Sequence, residues 1–198
     1  MSKDTNEGGF ISHLVELRKR LINTLIFLFG LFIICYLFSD YIYGFLVEPY
    51  AAAVKDDTVD RRLIFTALQE TFLTYLKVSF FTAFFFTSPF ILIQIWKFIA
   101  PGLYEHEKSA IIPYFVITPV LFLLGGMLVY YLIMPLAIKF FLSFESIGTA
   151  TNLPIQLEAK VNEYLSLVMK LIFAFGLSFQ LPVVLSLLAR IGIIDSIF

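Results

Sequence analysis

The chain has 198 residues, of which 60% are apolar, 18% aromatic and only 15% charged, with a mean hydropathy of +0.90. So much apolar surface exceeds what one soluble core of this length can bury, and it excludes a disordered chain, a collagen and a disulfide scaffold, leaving an integral membrane protein, expected to be all-α because its apolar runs do not alternate as barrel strands would. The near balance of 14 basic and 15 acidic residues excludes a strongly basic nucleic-acid binder, and the single cysteine, Cys35, can form no intrachain disulfide.

The N-terminal stretch, residues 1–20, reads as an amphipathic cytoplasmic segment. Phe10, Leu14, Leu17 and Leu21 recur at steps of 4, 3 and 4, one helical stripe, and Ser12 is a candidate N-cap. His13, Glu16 and Arg20 share another face. Glu16 and Arg20 at i,i+4 make a surface ion pair worth a few tenths of a kcal/mol, or Glu16 is free to receive a ligand.

The first uncharged run covers residues 21–39. It is too long for a signal peptide and no small-x-small cleavage site follows, so it reads as an uncleaved anchor. Arg18, Lys19 and Arg20 before it place the N-terminus in the cytoplasm. Residues 40–70 form an outer loop, within which 40–53 is aromatic, too short to span before Pro49, and predicts an interfacial helix. The second span is predicted at about 71–97, with Pro89 inside it and Gln94 near its cytoplasmic end, where it can reach headgroups.

Residues 98–108 make a cytoplasmic loop with a turn at Pro101-Gly102, followed by Glu105 and Glu107 at the start of the third span. Carboxylates there are favoured by the helix dipole. On the predicted topology Glu16 and Glu107 share the cytoplasmic face, where two carboxylates can accept two guanidinium groups. The third span, 109–138, is 30 residues without a charge. At about 1.5 Å per residue it exceeds a hydrocarbon core of about 30 Å unless tilted or bent. Pro113, Pro119 and Pro135 interrupt it, and Gly125-Gly126 lets another helix come close. A second outer loop, 139–162, leads to the fourth span, 163–189, containing Lys170, Gln180 and Pro182. Lys170 can snorkel, whereas the central Gln180 needs an interhelical hydrogen bond or a function.

Each interior proline frees a carbonyl that must find a neighbouring helix, a hydroxyl or water, with Thr87, Ser88 and Thr118 as candidates. The expected architecture is a bundle of four long, tilted, proline-bent helices packed around a concavity. No nucleophile–base set, phosphate loop or metal-ligand spacing is present in the sequence, so an enzyme, a metal site and a cofactor are not expected. A small-solute or ion transporter would need a midplane site, which Gln180 and the prolines suggest only weakly.

Taken together, these motifs resemble the TatC family. The segment His13-Leu-Val-Glu-Leu-Arg-Lys-Arg-Leu21 is similar to its N-terminal signature, and Ser88 through Lys108, with Gln94, Trp96, Phe98, Pro101 and Glu107, to its most specific stretch. Phe65 to Lys77, Gly125 to Tyr130, Tyr164, and Phe175 through Gln180-Leu-Pro182 continue the match in order. The resemblance implies the core receptor subunit of the twin-arginine translocase, which exports folded proteins across the cytoplasmic (inner) membrane of a prokaryote by the proton-motive force. It implies TatA-like and TatB-like single-span subunits, an oligomeric complex in membrane lipid, and signal peptides of folded cargo as partners. Glu16 and Glu107 would receive the signal arginines, with His13, Arg18 and Phe98 shaping the site. Gln180 and Pro182 would contact a partner helix, while Pro49, Pro89, Pro101 and Gly102 would be structural. The family has six spans, so the two last are expected beyond this chain, and its fourth-span polar residue is often glutamate where Gln180 stands.

Overall fold

The computed structural model describes residues 4–55, 61–99, 105–146 and 153–190. In chain order the helices are α1 (Asp4–Leu37), α2 (Ser39–Val54), α3 (Glu70–Ile99), α4 (Glu105–Leu128), a π-helical turn at Val129–Ile133, α5 (Met134–Leu142), α6 (Val161–Ser178) and α7 (Leu181–Arg190). Among the described residues four helical stretches are long and apolar enough to cross a membrane: Leu14–Leu37, Glu70–Ile95, Val116–Leu142 and Val161–Ala189. The all-α membrane architecture read from the sequence is therefore the architecture of the chain.

Local chemistry explains where the helices run and break. No proline precedes Pro49, so the N-terminal stretch and the first apolar run form one 34-residue helix. Ser12 lies inside α1 and is not its cap. In α2 the helix continues through Pro49, which is buried. Pro49 has no N–H for the carbonyl of Phe45, four residues earlier, and the hydroxyl of Tyr130 donates to that carbonyl instead at 2.8 Å. The two rings stack with centroids 4.4 Å apart. Tyr164 donates to the next carbonyl, of Leu46, at 3.0 Å. At Pro89 the freed acceptor is the carbonyl of Phe85, and the hydroxyl of Ser88 donates to it at 2.7 Å.

The third apolar run is not one regular helix. A π turn precedes Pro135, and the N–H of Met134 bonds the carbonyl of Val129, five residues back. This places buried Tyr130 where it meets α2. The fourth run breaks at Phe179-Gln180, where Pro182 has no N–H to offer the carbonyl of Ser178, the last residue of α6.

The helices pack without a hydrophobic drive, since lipid tails are as apolar as leucine; close van der Waals fit replaces it. Glycine makes that fit possible at the α4–α6 crossing. A Cβ at Gly125 would lie 2.8 Å from the carbonyl oxygen of Phe175 and 2.9 Å from Cα of Gly176. One at Gly176 would strike the ring of Phe122, which is fully buried and sits 5.0 Å from the Phe85 ring. Leu46, Val78, Val129, Met134, Leu165 and Val168 extend this core towards α2. By contrast α1 packs chiefly on α3, through pairs such as Phe27–Phe90 and Phe32–Phe80, and exposes most of its apolar side chains.

At the α2 end of the bundle the connecting segments are tied together. Ile64 bridges to Lys160, and Ser146 to Ile155. Arg61, whose side chain is 6% exposed, grips Glu145 through two parallel bonds of 2.7 and 2.6 Å. The N–H of Leu157 adds a third at 2.7 Å. The Arg61 guanidinium first, and then the Leu157 N–H, hold the Glu145 carboxyl down at about 2, below its ordinary 4.5.

In the unfolded chain Glu145 takes up its proton near 4.5, and in the folded chain only near 2. Its contribution to stability is therefore complete above about pH 4.5, falls as the pH drops through that interval, and is gone below about 2. Thermal unfolding in detergent should show this loss for the wild type. Glu145→Gln should be less stable at pH 7 and should flatten the acid dependence; an unchanged acid profile would exclude this pair as its source.

Candidate functional site

The candidate site lies at the opposite end of α3 from the Arg61–Glu145 clamp. Glu16 and Arg20 stand one turn apart on α1, and Gln94 stands in the last turns of α3. Arg20 donates to Glu16 Oε1 from Nε at 3.0 Å and from Nη2 at 2.5 Å. Its remaining nitrogen, Nη1, donates to Gln94 Oε1 at 2.7 Å. Thr24, buried one turn further on, donates its hydroxyl to the Arg20 carbonyl at 2.9 Å. Glu16, Arg20 and Thr24 thus form the strip of α1 that meets α3, while Leu14, Leu17 and Leu21 point outward at 42–58% exposure. In a membrane this is the expected sense, because the polar strip finds partners in protein and the leucines find lipid.

The i,i+4 pair anticipated from spacing is present, and it is more than a surface pair because Gln94 completes it across the helix interface. Gln94 accepts a charge-assisted bond rather than turning to headgroups. The carboxylate itself remains accessible: the Glu16 side chain is 41% exposed against 25% for Arg20. Arg20 converges on one carboxylate oxygen instead of using the two-oxygen fork seen at Glu145. Arg18 is exposed.

Glu107 belongs to the first turn of α4, and His13 and Phe98 to α1 and α3, but their side chains lie outside the described residues. Pro101 and Gly102 also lie outside them. Gln180 is 8% exposed, and its Nε2 donates to the backbone carbonyl of Thr118 at 3.0 Å. That bond ties the break between α6 and α7 to α4, so the buried amide is satisfied within the chain. Pro182 beside it is exposed, as are Leu181, Val184 and Leu185. The Arg61–Glu145 clamp and the Arg20–Gln94 contact were not found from the sequence. Each joins residues more than seventy positions apart; opposite charge in two connecting segments is the signal for the first, and a polar amide near the end of an apolar run the signal for the second.

The family model for TatC, the Sec-independent protein translocase protein, matches residues 12–198. A Sec-independent protein translocase protein TatC of Magnetococcus marinus is 47% identical over 190 residues, which are 96% of this chain and 67% of that protein. Its counterpart in Rickettsia prowazekii is 47% identical over 188 residues, 95% of this chain and 73% of that protein. A crystal structure of the twin-arginine translocase receptor TatC superposes with a TM-score of 0.76 at 36% identity, covering 92% of this chain and 76% of that one.

Replacing Gln180 with leucine should remove one interhelical hydrogen bond, worth about 0.6–2 kcal/mol in a membrane protein. The expected result is a modest fall in unfolding stability in detergent, with helix content unchanged by circular dichroism. Wild-type stability would show that the bond to Thr118 contributes nothing.

Proposed function

The chain belongs to the TatC family of Sec-independent protein translocase proteins, and on that premise we propose that it receives twin-arginine signal peptides as the core subunit of a translocase for folded proteins. The observation that supports this most directly is Glu16. Its carboxylate already holds a guanidinium and is partly open to solvent, and that guanidinium, of Arg20, bonds Gln94 at the end of α3 that leads into the Glu107 segment. A guanidinium presents a planar fork that one carboxylate can take through two parallel bonds, which an ammonium cannot copy. Glu16 and Glu107 would each take one signal arginine, with His13, Arg18 and Phe98 around them.

In this reading the N-terminus and the 98–108 segment face the cytoplasm, and α2 with the Arg61–Glu145 clamp faces outward across the inner membrane. The basic cluster Arg18–Arg20 supports that orientation. TatA-like and TatB-like single-span subunits would pack beside the chain, and the proton-motive force would drive export. The break fixed by Gln180 presents Leu181, Pro182, Val184 and Leu185 as an apolar partner-helix surface.

Two measurements test the proposal. In a Cys35→Ser background, single cysteines at positions 107 and 57 should label from the cytoplasmic and outer sides respectively, and the reverse would refute the orientation. Charge-assisted bonds contribute about 1.5–3 kcal/mol, at roughly 1.4 kcal/mol per decade of affinity. Glu16→Ala and Glu107→Ala should therefore each weaken binding of an Arg-Arg signal peptide by about ten- to a hundredfold, with Glu107→Asp between wild type and alanine and a Lys-Lys peptide as control. Wild-type affinity in the double alanine variant would defeat the assignment.

A further inference from the structure

We infer that Arg20 is a resident competitor for the Glu16 carboxylate, which an incoming arginine must displace, and that this competition holds the affinity of the site down. The inference rests on the receptor reading of Glu16 and deepens it.

The geometry is unlike that of a permanent pair. At Arg61–Glu145 both carboxylate oxygens are engaged, a backbone N–H reinforces them, and the arginine is nearly sealed from solvent. At Arg20 both donors crowd onto Oε1 of Glu16, and the pair is partly exposed. A second guanidinium can therefore approach Glu16 while Arg20 still holds it. Arg20 has somewhere to remain when it lets go, because Nη1 is held separately by Gln94 on the neighbouring helix. The exchange keeps the Glu16 carboxylate paired and leaves the Arg20 guanidinium, 25% exposed, on the neutral Gln94 amide, which is the cost the ligand must meet. A ligand ammonium meets the same resident and the same displacement cost, so the competition lowers affinity for both kinds of ligand alike.

The test is binding of synthetic Arg-Arg and Lys-Lys signal peptides to the purified full chain in detergent. Removing the competitor with Arg20→Met should raise affinity for the Arg-Arg peptide by about two- to fivefold, the scale of a partly exposed ion pair. It should raise affinity for the Lys-Lys peptide by the same factor, so that discrimination is unchanged. Arg20→Lys keeps a cation on Glu16 with less disturbance of the fold and should fall between wild type and Arg20→Met. In a Glu16→Ala background Arg20→Met should give no gain. An equal gain in that background would mean simple repulsion between cations and would overturn the inference. Unchanged or reduced affinity in both Arg20 variants would overturn it as well, because Arg20 would then only position Glu16. If the wild type fails to prefer Arg-Arg over Lys-Lys, the receptor reading itself fails and the inference falls with it.

Discussion

Inside a hydrocarbon layer no water is at hand to take up a hydrogen bond that a helix gives away, and this chain has prolines at 49, 89, 119, 135 and 182 in or beside its long helices. The way these gaps are filled determines much of the architecture. Ser88 closes the gap left by Pro89 within its own helix and leaves α3 free to run on. Tyr130 closes the gap left by Pro49 from another helix, and in doing so it fastens α2 onto the bundle. The π turn that carries Tyr130 sits directly before Pro135, so one proline's accommodation places the hydroxyl that answers another's. Gln180 acts differently at the break before Pro182: it joins that break to α4 by donating to the Thr118 carbonyl, which no proline has freed.

The two guanidinium–carboxylate pairs divide the bundle into a fixed end and an adjustable one. Arg61 and Glu145, with the two short bridges beside them, bind together the segments that connect the helices at the α2 end. The glycine contacts of Gly125 and Gly176 lock α4 to α6 in the middle. Neither device reaches α1, whose packing on α3 is a seam of phenylalanine rings ending in Arg20 and Gln94. α1 therefore holds to the bundle chiefly through α3.

How much of this the sequence makes legible follows from the range of each force. The spans are legible because hydrocarbon thickness acts on composition alone, and four uncharged runs satisfy it. The Glu16–Arg20 pair is legible because helical spacing is local. The division of the third run by a π turn is not, because it depends on how Tyr130 meets α2. Gln94 reads as an amide near a membrane surface until the structure shows which helix lies against it. Gln180 presents the opposite case: its need for a partner is plain from its position, but the partner is a backbone carbonyl, and every residue has one of those.

The placement of Gln94 also sets an order for assembly of the chain. Arg20 precedes its acceptor by 74 positions. At synthesis rates of roughly 5–20 residues per second, α1 waits about 4–15 seconds for α3. During that interval the helix has no lasting mate, and its outward leucines and phenylalanines meet only lipid. Arg20 can already fold back on Glu16, a contact that needs nothing outside α1. The ion pair seen in the finished protein thus shields a charge at the membrane edge while the rest is being made, and α3 docks on a helix whose polar strip is already neutralised.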